Sequence, residues 1–262
     1  MVREGSQPKS AKDGDQLSGS AQSGTLYVVG TPIGNLDDIT IRALRILRTV
    51  SIIASEDPAA TQALLAHHRT AGTVTSYGPR NLGEKVALLL SRLKEGCDVA
   101  LVSDCGTPVI YDPGCHLIKE AHRAGIPVRS VPGPSALTAA VAISGCSGDS
   151  LLFEGHLPRL RHSLNTFLSG FRNERRTLVL FAASQSIEPV LIALAKIFPT
   201  RRVIIAQDLT KSEERTLQGT PSMLLKHMRR VSRGETVAVV IEGPSSRSRP
   251  IRCPRSLRSV NR

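Results

Sequence analysis

Tryptophan is absent from the 262-residue chain, and aromatic residues make up only 3% of it. A core of that composition must be aliphatic, and contact with a nucleic acid cannot lean heavily on ring stacking. Arginine is the available substitute. The five cysteines, Cys97, Cys105, Cys115, Cys146 and Cys253, form no CxxC pair and no His-associated zinc spacing. That pattern excludes the common zinc modules, so no metal site is predicted, and it fits a reducing, cytoplasmic compartment. No apolar run is long enough to cross a bilayer, so no membrane partner is predicted. Neither GxGxxG nor a glycine loop ending in Lys-Ser/Thr occurs, so the dinucleotide fingerprint and the P-loop both fail.

What is present is enough hydrophobic content, 40%, for a substantial core in one large domain or two small ones. The formal charge of +12 points to an anionic partner. Six arginines and no acid fall in residues 243–262, so half of that excess belongs to a terminal segment read as a flexible tail. Residues 1–24 are polar and Ser/Gly-rich and read as a disordered tail; Glu4, Asp13 and Asp15 argue against a transit peptide.

Between the tails, apolar strand patterns alternate with helical ones, which is α/β grammar. Strands are predicted over Leu26–Val29, Ser51–Ala54, Thr73–Ser76, Val99–Val102 and Val128–Val131, with helices between them. Ile39, Ala43, Ile46 and Val50 repeat at helical spacing, so the first helix can cover a mostly parallel sheet. Periodicity lapses near Gly145–Asp149, and a second series starts at Leu151–Glu154 and runs to Thr236–Ile241. The predicted domains are therefore 25–146 and 147–242.

Three Gly/Pro loops and one Leu-Thr-Lys segment are the candidates for chemistry. Val29-Gly30-Thr31-Pro32-Ile33-Gly34-Asn35 joins a strand to a helix, with glycines where main-chain amides can meet a ligand and Pro32 stiffening the turn. Asp37 or Asp38 is placed to cap the helix that follows. Ser103-Asp104-Cys105-Gly106-Thr107-Pro108 leaves a buried strand at its carboxyl end, where open α/β sheets place ligands. Its polar residues have an alternative role as caps of a following helix. Pro132-Gly133-Pro134-Ser135-Ala136 follows another strand and leads into a helix, and Leu209-Thr210-Lys211 completes the set.

These four segments, in this order, resemble the bacterial ribosomal small-subunit RNA (cytidine 2′-O)-methyltransferases, a branch of the tetrapyrrole-methylase-like superfamily, over roughly Leu26 to Glu242. The resemblance implies two α/β domains of tetrapyrrole-methylase type with a ligand cleft between them, and a mixed second sheet. It implies S-adenosylmethionine as methyl donor, contacted by Gly30, Pro32, Ser103, Asp104, Gly106, Thr107, Pro108, Ser135 and Ala136. The implied partners are small-subunit ribosomal RNA or the assembled subunit, and a second copy of the chain in a homodimer.

Candidate catalytic residues are Glu56, Asp57 and Glu154, as carboxylates that take a proton from a ribose hydroxyl, and Lys211, as a phosphate or charge-stabilising contact. Helix capping and a solvated surface are the alternatives for each acid. His67 and His68, adjacent on a helical pattern, are not expected to face one pocket. Arg159, Arg161, Arg172, Arg175 and Arg176 are candidates for tracking an RNA backbone, or form a charged rim. Cys105 is expected to be a small packing residue.

The chain also departs from the family pattern. Pro58-Ala59 replaces Thr-Arg, Phe181 to Ser186 replaces a more polar segment, Gln207-Asp208 replaces Arg-Glu, and Tyr77 to Asn81 replaces a His-rich stretch. Two further functions therefore stay open, methylation of a tetrapyrrole on the same fold and a noncatalytic ribosome-binding role.

Overall fold

The computed structural model describes residues 23–79, 82–155, 157–158, 160–227 and 236–244, so both predicted tails lie almost wholly outside the described residues. The first half contains β1 (Leu26–Val29), α1 (Ile41–Thr49), β2 (Ile52–Ser55), α2 (Pro58–His67), β3 (Val74–Ser76), α3 (Leu82–Lys94), β4 (Val99–Val102), α4 (Cys115–Arg123) and β5 (Val128–Val131). Its strands pair in the order β3-β2-β4-β1-β5, all parallel. β4 reads Val-Ala-Leu-Val and is buried along its length, as a parallel strand covered on both faces requires.

Side chains alternate across that strand, and the core alternates with them. Ala100 and Val102 pack with Ala43 and Leu47 of α1 and with Leu64 and Leu65 of α2. Val99 and Leu101 pack with Leu89 and Leu93 of α3 and with Leu117 and Ala121 of α4. The helices after β1 and β4 thus lie on opposite faces, so the chain leaves these two neighbouring strands in opposite directions. That is a topological switch point, the crevice where open parallel sheets take ligands.

α5 (Ala136–Ser144) leads to the second half: β6 (Leu151–Glu154), α6 (Arg161–Ser169), β7 (Thr177–Ala183), α7 (Ile187–Ile197), β8 (Val203–Gln207), β9 (Arg215–Gly219), α8 (Pro221–Lys226) and β10 (Thr236–Ile241). The order is β6-β7-β10-β8-β9, with only β6 and β7 parallel, so this sheet is mixed. α6, α7 and α8 cover one face through residues such as Leu164, Leu191 and Leu224. The other face, including Val179, Phe181, Ile204 and Val240, is covered by α5 through Ala140.

α5 falls before the predicted boundary at 146, yet it packs on the second sheet and so serves as the joint between halves. Arg202 fixes its carboxyl end by donating to the carbonyls of Ser144 (3.1 Å) and Gly145 (3.0 Å) while pairing with Glu242 (3.0 Å). Two local expectations change. β9 was not predicted, and α1 is capped by Thr40, whose Oγ1 accepts from Ala43 N at 3.1 Å, while Asp37 and Asp38 sit in a separate 3-10 turn.

Candidate functional site

Strand register puts the candidate loops side by side. Val102 of β4 is level with Val29 of β1 and Ser55 of β2, and Val29 is level with Val131 of β5. The next residues, Ser103, Gly30, Glu56 and Pro132, therefore begin four adjacent loops along one carboxyl edge. Residues separated by more than a hundred positions become neighbours there.

The glycines at this edge are required by close backbone approach. A Cβ on Gly30 would lie 2.9 Å from Gly133 Cα, and one on Gly133 would lie 2.8 Å from Gly30 O, so the loops after β1 and β5 can touch only if both stay bare. Gly30 and Pro32 are buried. Gly34 meets the second half: a Cβ there would lie 2.6 Å from Leu209 O and 2.8 Å from Lys211 Cγ. Asn35 N donates to Thr210 Oγ1 at 2.9 Å across the same contact. The first and fourth loops of the sequence motif set are thus a single touching pair.

Hydroxyls lock the β4 loop. Gly106 O accepts from Thr31 N (2.9 Å) and Ser103 Oγ (3.0 Å), and Thr31 Oγ1 shares its proton between Ser103 O and Gly106 O. Thr107 Oγ1 donates to Pro134 O at 3.1 Å, tying this loop to the one after β5. The helix-capping alternative for Ser103, Asp104 and Thr107 is corrected by this geometry, because α4 starts at Cys115 after Gly114, which caps it with no side chain. Pro108 is buried in the same loop. Ser135 is the N-cap residue of α5, but its side chain makes no capping bond, and Ala136 beside it is half-buried.

Backbone strain accumulates just beyond. Gly106 (φ 98°), Val109 (φ 76°), Tyr111 (φ 70°) and Gly114 (φ 139°) all occupy the left-handed region. Val109 and Tyr111 lack the freedom of glycine, and such conformations cost about 1–3 kcal/mol each where surrounding structure holds them. Tyr111 reaches the second half, edge-on to Phe181 at 6.0 Å, and its ring occupies the space a Cβ on Gly155 would need. Glu154 is the residue just before that contact. In the loop that touches Gly34 and Asn35, Thr210 also has positive φ (66°).

The acids divide by role. Asp57 Oδ1 accepts from Ala59 N (2.8 Å) and Ala60 N (3.1 Å), with Pro58 at the start of α2, so this carboxylate serves as a helix cap. Asp104 Oδ1 accepts from Asp57 N at 2.7 Å and joins the β4 and β2 loops. Partial burial, then Asp104, raises the carboxyl of Glu56 above its ordinary range. Burial likewise raises Asp104, against the amide of Asp57. Asp112, not anticipated from the sequence, is pushed up to about 6, first by burial and then by the charge of Glu56, with Asp104 adding to it. Glu56, Asp104 and Asp112 thus form one acidic edge. Lys211 pairs with Asp208 at 3.8 Å, on the far side of the Gly34 contact.

Other expectations come out differently. Cys105 is exposed, its thiol donating to Ile33 O at 3.3 Å, so it does not pack inside. His67 and His68 do converge, on the 36–38 turn, because His68 lies past the last helical residue. Among the arginines, Arg176 is clamped to Glu174 at 2.7 Å, which holds that carboxyl at about 2; Arg172 and Arg175 are exposed, Arg161 begins α6, and Arg159 lies outside the described residues.

A five-stranded parallel sheet with its loops gathered at the switch point, joined through α5 to a mixed sheet, defines a class of two-sheet α/β proteins, and known proteins share it. Cobalt precorrin-4 methyltransferase, a cobalamin biosynthetic enzyme, superposes with a TM-score of 0.63 at 23% identity, covering 83% of this chain and 94% of that one. A uroporphyrin-III C-methyltransferase from Thermus thermophilus, solved with S-adenosylhomocysteine, gives 0.58 at 19% identity, covering 83% and 97%. The family model for tetrapyrrole (corrin/porphyrin) methylases matches residues 25–224. Ribosomal RNA small subunit methyltransferase I of Thermotoga maritima is 42% identical over 220 residues, 84% of this chain and 99% of the relative. Its namesake from Escherichia coli O157:H7 is 39% identical over 208 residues, 78% and 71% of the two chains. The chain belongs to the tetrapyrrole (corrin/porphyrin) methylase family, in its small-subunit ribosomal RNA methyltransferase I branch.

Proposed function

We propose that this protein methylates the ribose 2′-oxygen of a cytidine in 16S ribosomal RNA, using S-adenosylmethionine, on the assembled small subunit in the cytoplasm and as a homodimer. The observation that carries the reading is the carboxyl edge of the first sheet, where the β1, β4 and β5 loops are locked together beside three acids. S-adenosylmethionine supplies a methyl group made electrophilic by its sulfonium. Its positive sulfonium and ammonium match the charge of Glu56, Asp104 and Asp112, and the loop from Ser103 to Pro108, exposed at Asp104 and Cys105, suits its polar groups. Ser135, whose hydroxyl is not used in capping, and Ala136 form the β5 side of that contact.

Transfer then depends on alignment and on removal of one proton. Fixed loops that hold both reactants supply effective molarity without further covalent chemistry. Glu56 is the acid we assign to the 2′-hydroxyl proton, since Asp57 caps α2 and a raised carboxyl is the better base near neutral pH. Lys211, beside the Gly34 contact, faces the phosphates of the bound RNA.

Names of relatives favour RNA as acceptor, since those at 34–43% identity are ribosomal RNA methyltransferases, while the neighbours acting on tetrapyrroles share only the fold. Incubating the protein with labelled donor and small subunits lacking the modification, then mapping nucleosides, tests the assignment. Label on a cytidine ribose is expected. Label on a base, or on a tetrapyrrole instead, overturns it.

A further inference from the structure

The end of α2 presents a second chemical site, separate from the carboxyl edge. His67 closes the helix and His68 is its cap residue, with φ −90° and ψ 15°. This departure from helical geometry turns two adjacent imidazoles toward one target, the 3-10 turn over Leu36–Asp38. His67 Nε2 lies 2.9 Å from Asp37 Oδ1, and His68 Nε2 lies 2.9 Å from Leu36 O. The rings meet edge to face with centroids 4.7 Å apart. One ligand-type atom each from Asp37, His67 and His68 falls within 4.8 Å of the others.

We infer that Asp37, His67 and His68 bind one divalent transition ion of the zinc class. Zinc bonds to imidazole nitrogen and carboxylate oxygen are about 2.0–2.2 Å, so two ligands at tetrahedral corners are about 3.3 Å apart. His67 and Asp37 are already near that spacing, and the widest pair closes it by a shift of about 1.5 Å in exposed or half-exposed side chains. Two imidazoles and one carboxylate select zinc, nickel or cobalt over magnesium and calcium, which prefer all-oxygen sites.

The protons also balance. His67 and His68 now donate from Nε2, to Asp37 Oδ1 and Leu36 O; to bind the ion, each Nε2 gives its proton to solvent while Nδ1 takes one up, leaving both rings neutral with an Nε2 lone pair for the metal. The freed Leu36 carbonyl or a water fills the fourth position. The Asp37 carboxylate already accepts from His67 Nε2, so the ion would take the place of the proton between them. The ion would tie α2 to the loop that carries Gly34 and Asn35, which rests on Thr210. It would therefore brace the contact between the two halves.

The test uses the full, tag-free chain stripped with a chelator, titrated with Zn²⁺ by calorimetry and with Co²⁺ by visible absorption. One ion per chain at micromolar or tighter affinity, a cobalt d–d band and a melting temperature that climbs with zinc concentration are expected. The double variant His67→Ala/His68→Ala, with a native circular dichroism spectrum, should lose the cobalt band and bind zinc at least roughly tenfold more weakly. Asp37→Asn, which leaves every residue of α2 unchanged, should weaken binding in the same direction. Equal affinity in the double variant would place the ion elsewhere on the chain and overturn the site, as would no binding by the parent chain at 100 times a micromolar dissociation constant.

Discussion

Replacing Asp112 by Asn should make the protein more stable at neutral pH and worse at holding its donor. The Asp112 carboxyl is raised from 3.8 to about 6 by burial first and by the charge of Glu56 second. Because the folded value lies above the unfolded one, the folded chain keeps the proton between about pH 4 and 6. Stability is full below that window and falls as pH rises through it. A shift of that size corresponds to about 3 kcal/mol at most, and solvent screening of a half-buried carboxyl brings the expectation to about 1 kcal/mol.

Asn keeps the shape and loses the charge. Urea unfolding at pH 3.5, 5 and 7.5 should show the variant matching the parent in acid and exceeding it by about 1 kcal/mol at pH 7.5, a gain of about 2–4 °C in melting temperature. Calorimetric titration with S-adenosylmethionine should show about tenfold weaker binding, the size of one screened charge interaction. A variant less stable than the parent at pH 7.5, or an unchanged pH profile, would refute the burial of Asp112 beside Glu56. Unchanged donor affinity would refute its place at the donor site.

Four further outcomes follow from the geometry. Glu56→Gln should lower the methyl-transfer rate by about 10²–10⁴-fold in single-turnover assays at saturating donor, with donor binding weakened by about tenfold, as for Asp112→Asn. Gly30→Ala drives a methyl group into Gly133, and should cost about 1–3 kcal/mol in denaturant unfolding. Gly106→Val forces a β-branched residue to a φ of 98° and presses on Ile33, so donor binding should fall steeply in a folded variant; retained affinity would count against that loop. Arg202→Ala strands the carbonyls of Ser144 and Gly145 together with Glu242 and should destabilise the α5 joint by about 1–3 kcal/mol, read as a lower urea midpoint.

Legibility in the sequence tracked how local each signal was. β1, β4, β6 and β10 lie within their predicted bounds because each is a mainly apolar run closed by turn residues, and β5, Val-Arg-Ser-Val, does so with valines only at its ends. β9 escaped because Arg-Thr-Leu-Gln-Gly is an edge strand, half-exposed in alternation, with too few apolar residues to stand out. The α/β class was readable from alternation, but the strand order that levels Ser55, Val102, Val29 and Val131 was not, because pairing is nonlocal. Asp112 sits between Tyr111 and Pro113 and looks like an ordinary turn acid; its perturbation comes from burial first and then from Glu56 on another loop, both set by tertiary packing. Tyr111 and Val109 offered only their unsuitability for positive φ, which no local pattern reveals. His67 and His68 were misjudged because helical spacing was extended one residue beyond the helix.

A structure of the protein soaked with S-adenosylhomocysteine bears most directly on the donor assignment. The account requires density for the ligand against the main chain of Ser103 to Pro108, with Ser135 and Ala136 on its other side and the amino end toward Asp104 and Asp112. A ligand seated elsewhere, for instance along the α6–α7 face of the second sheet, would contradict it.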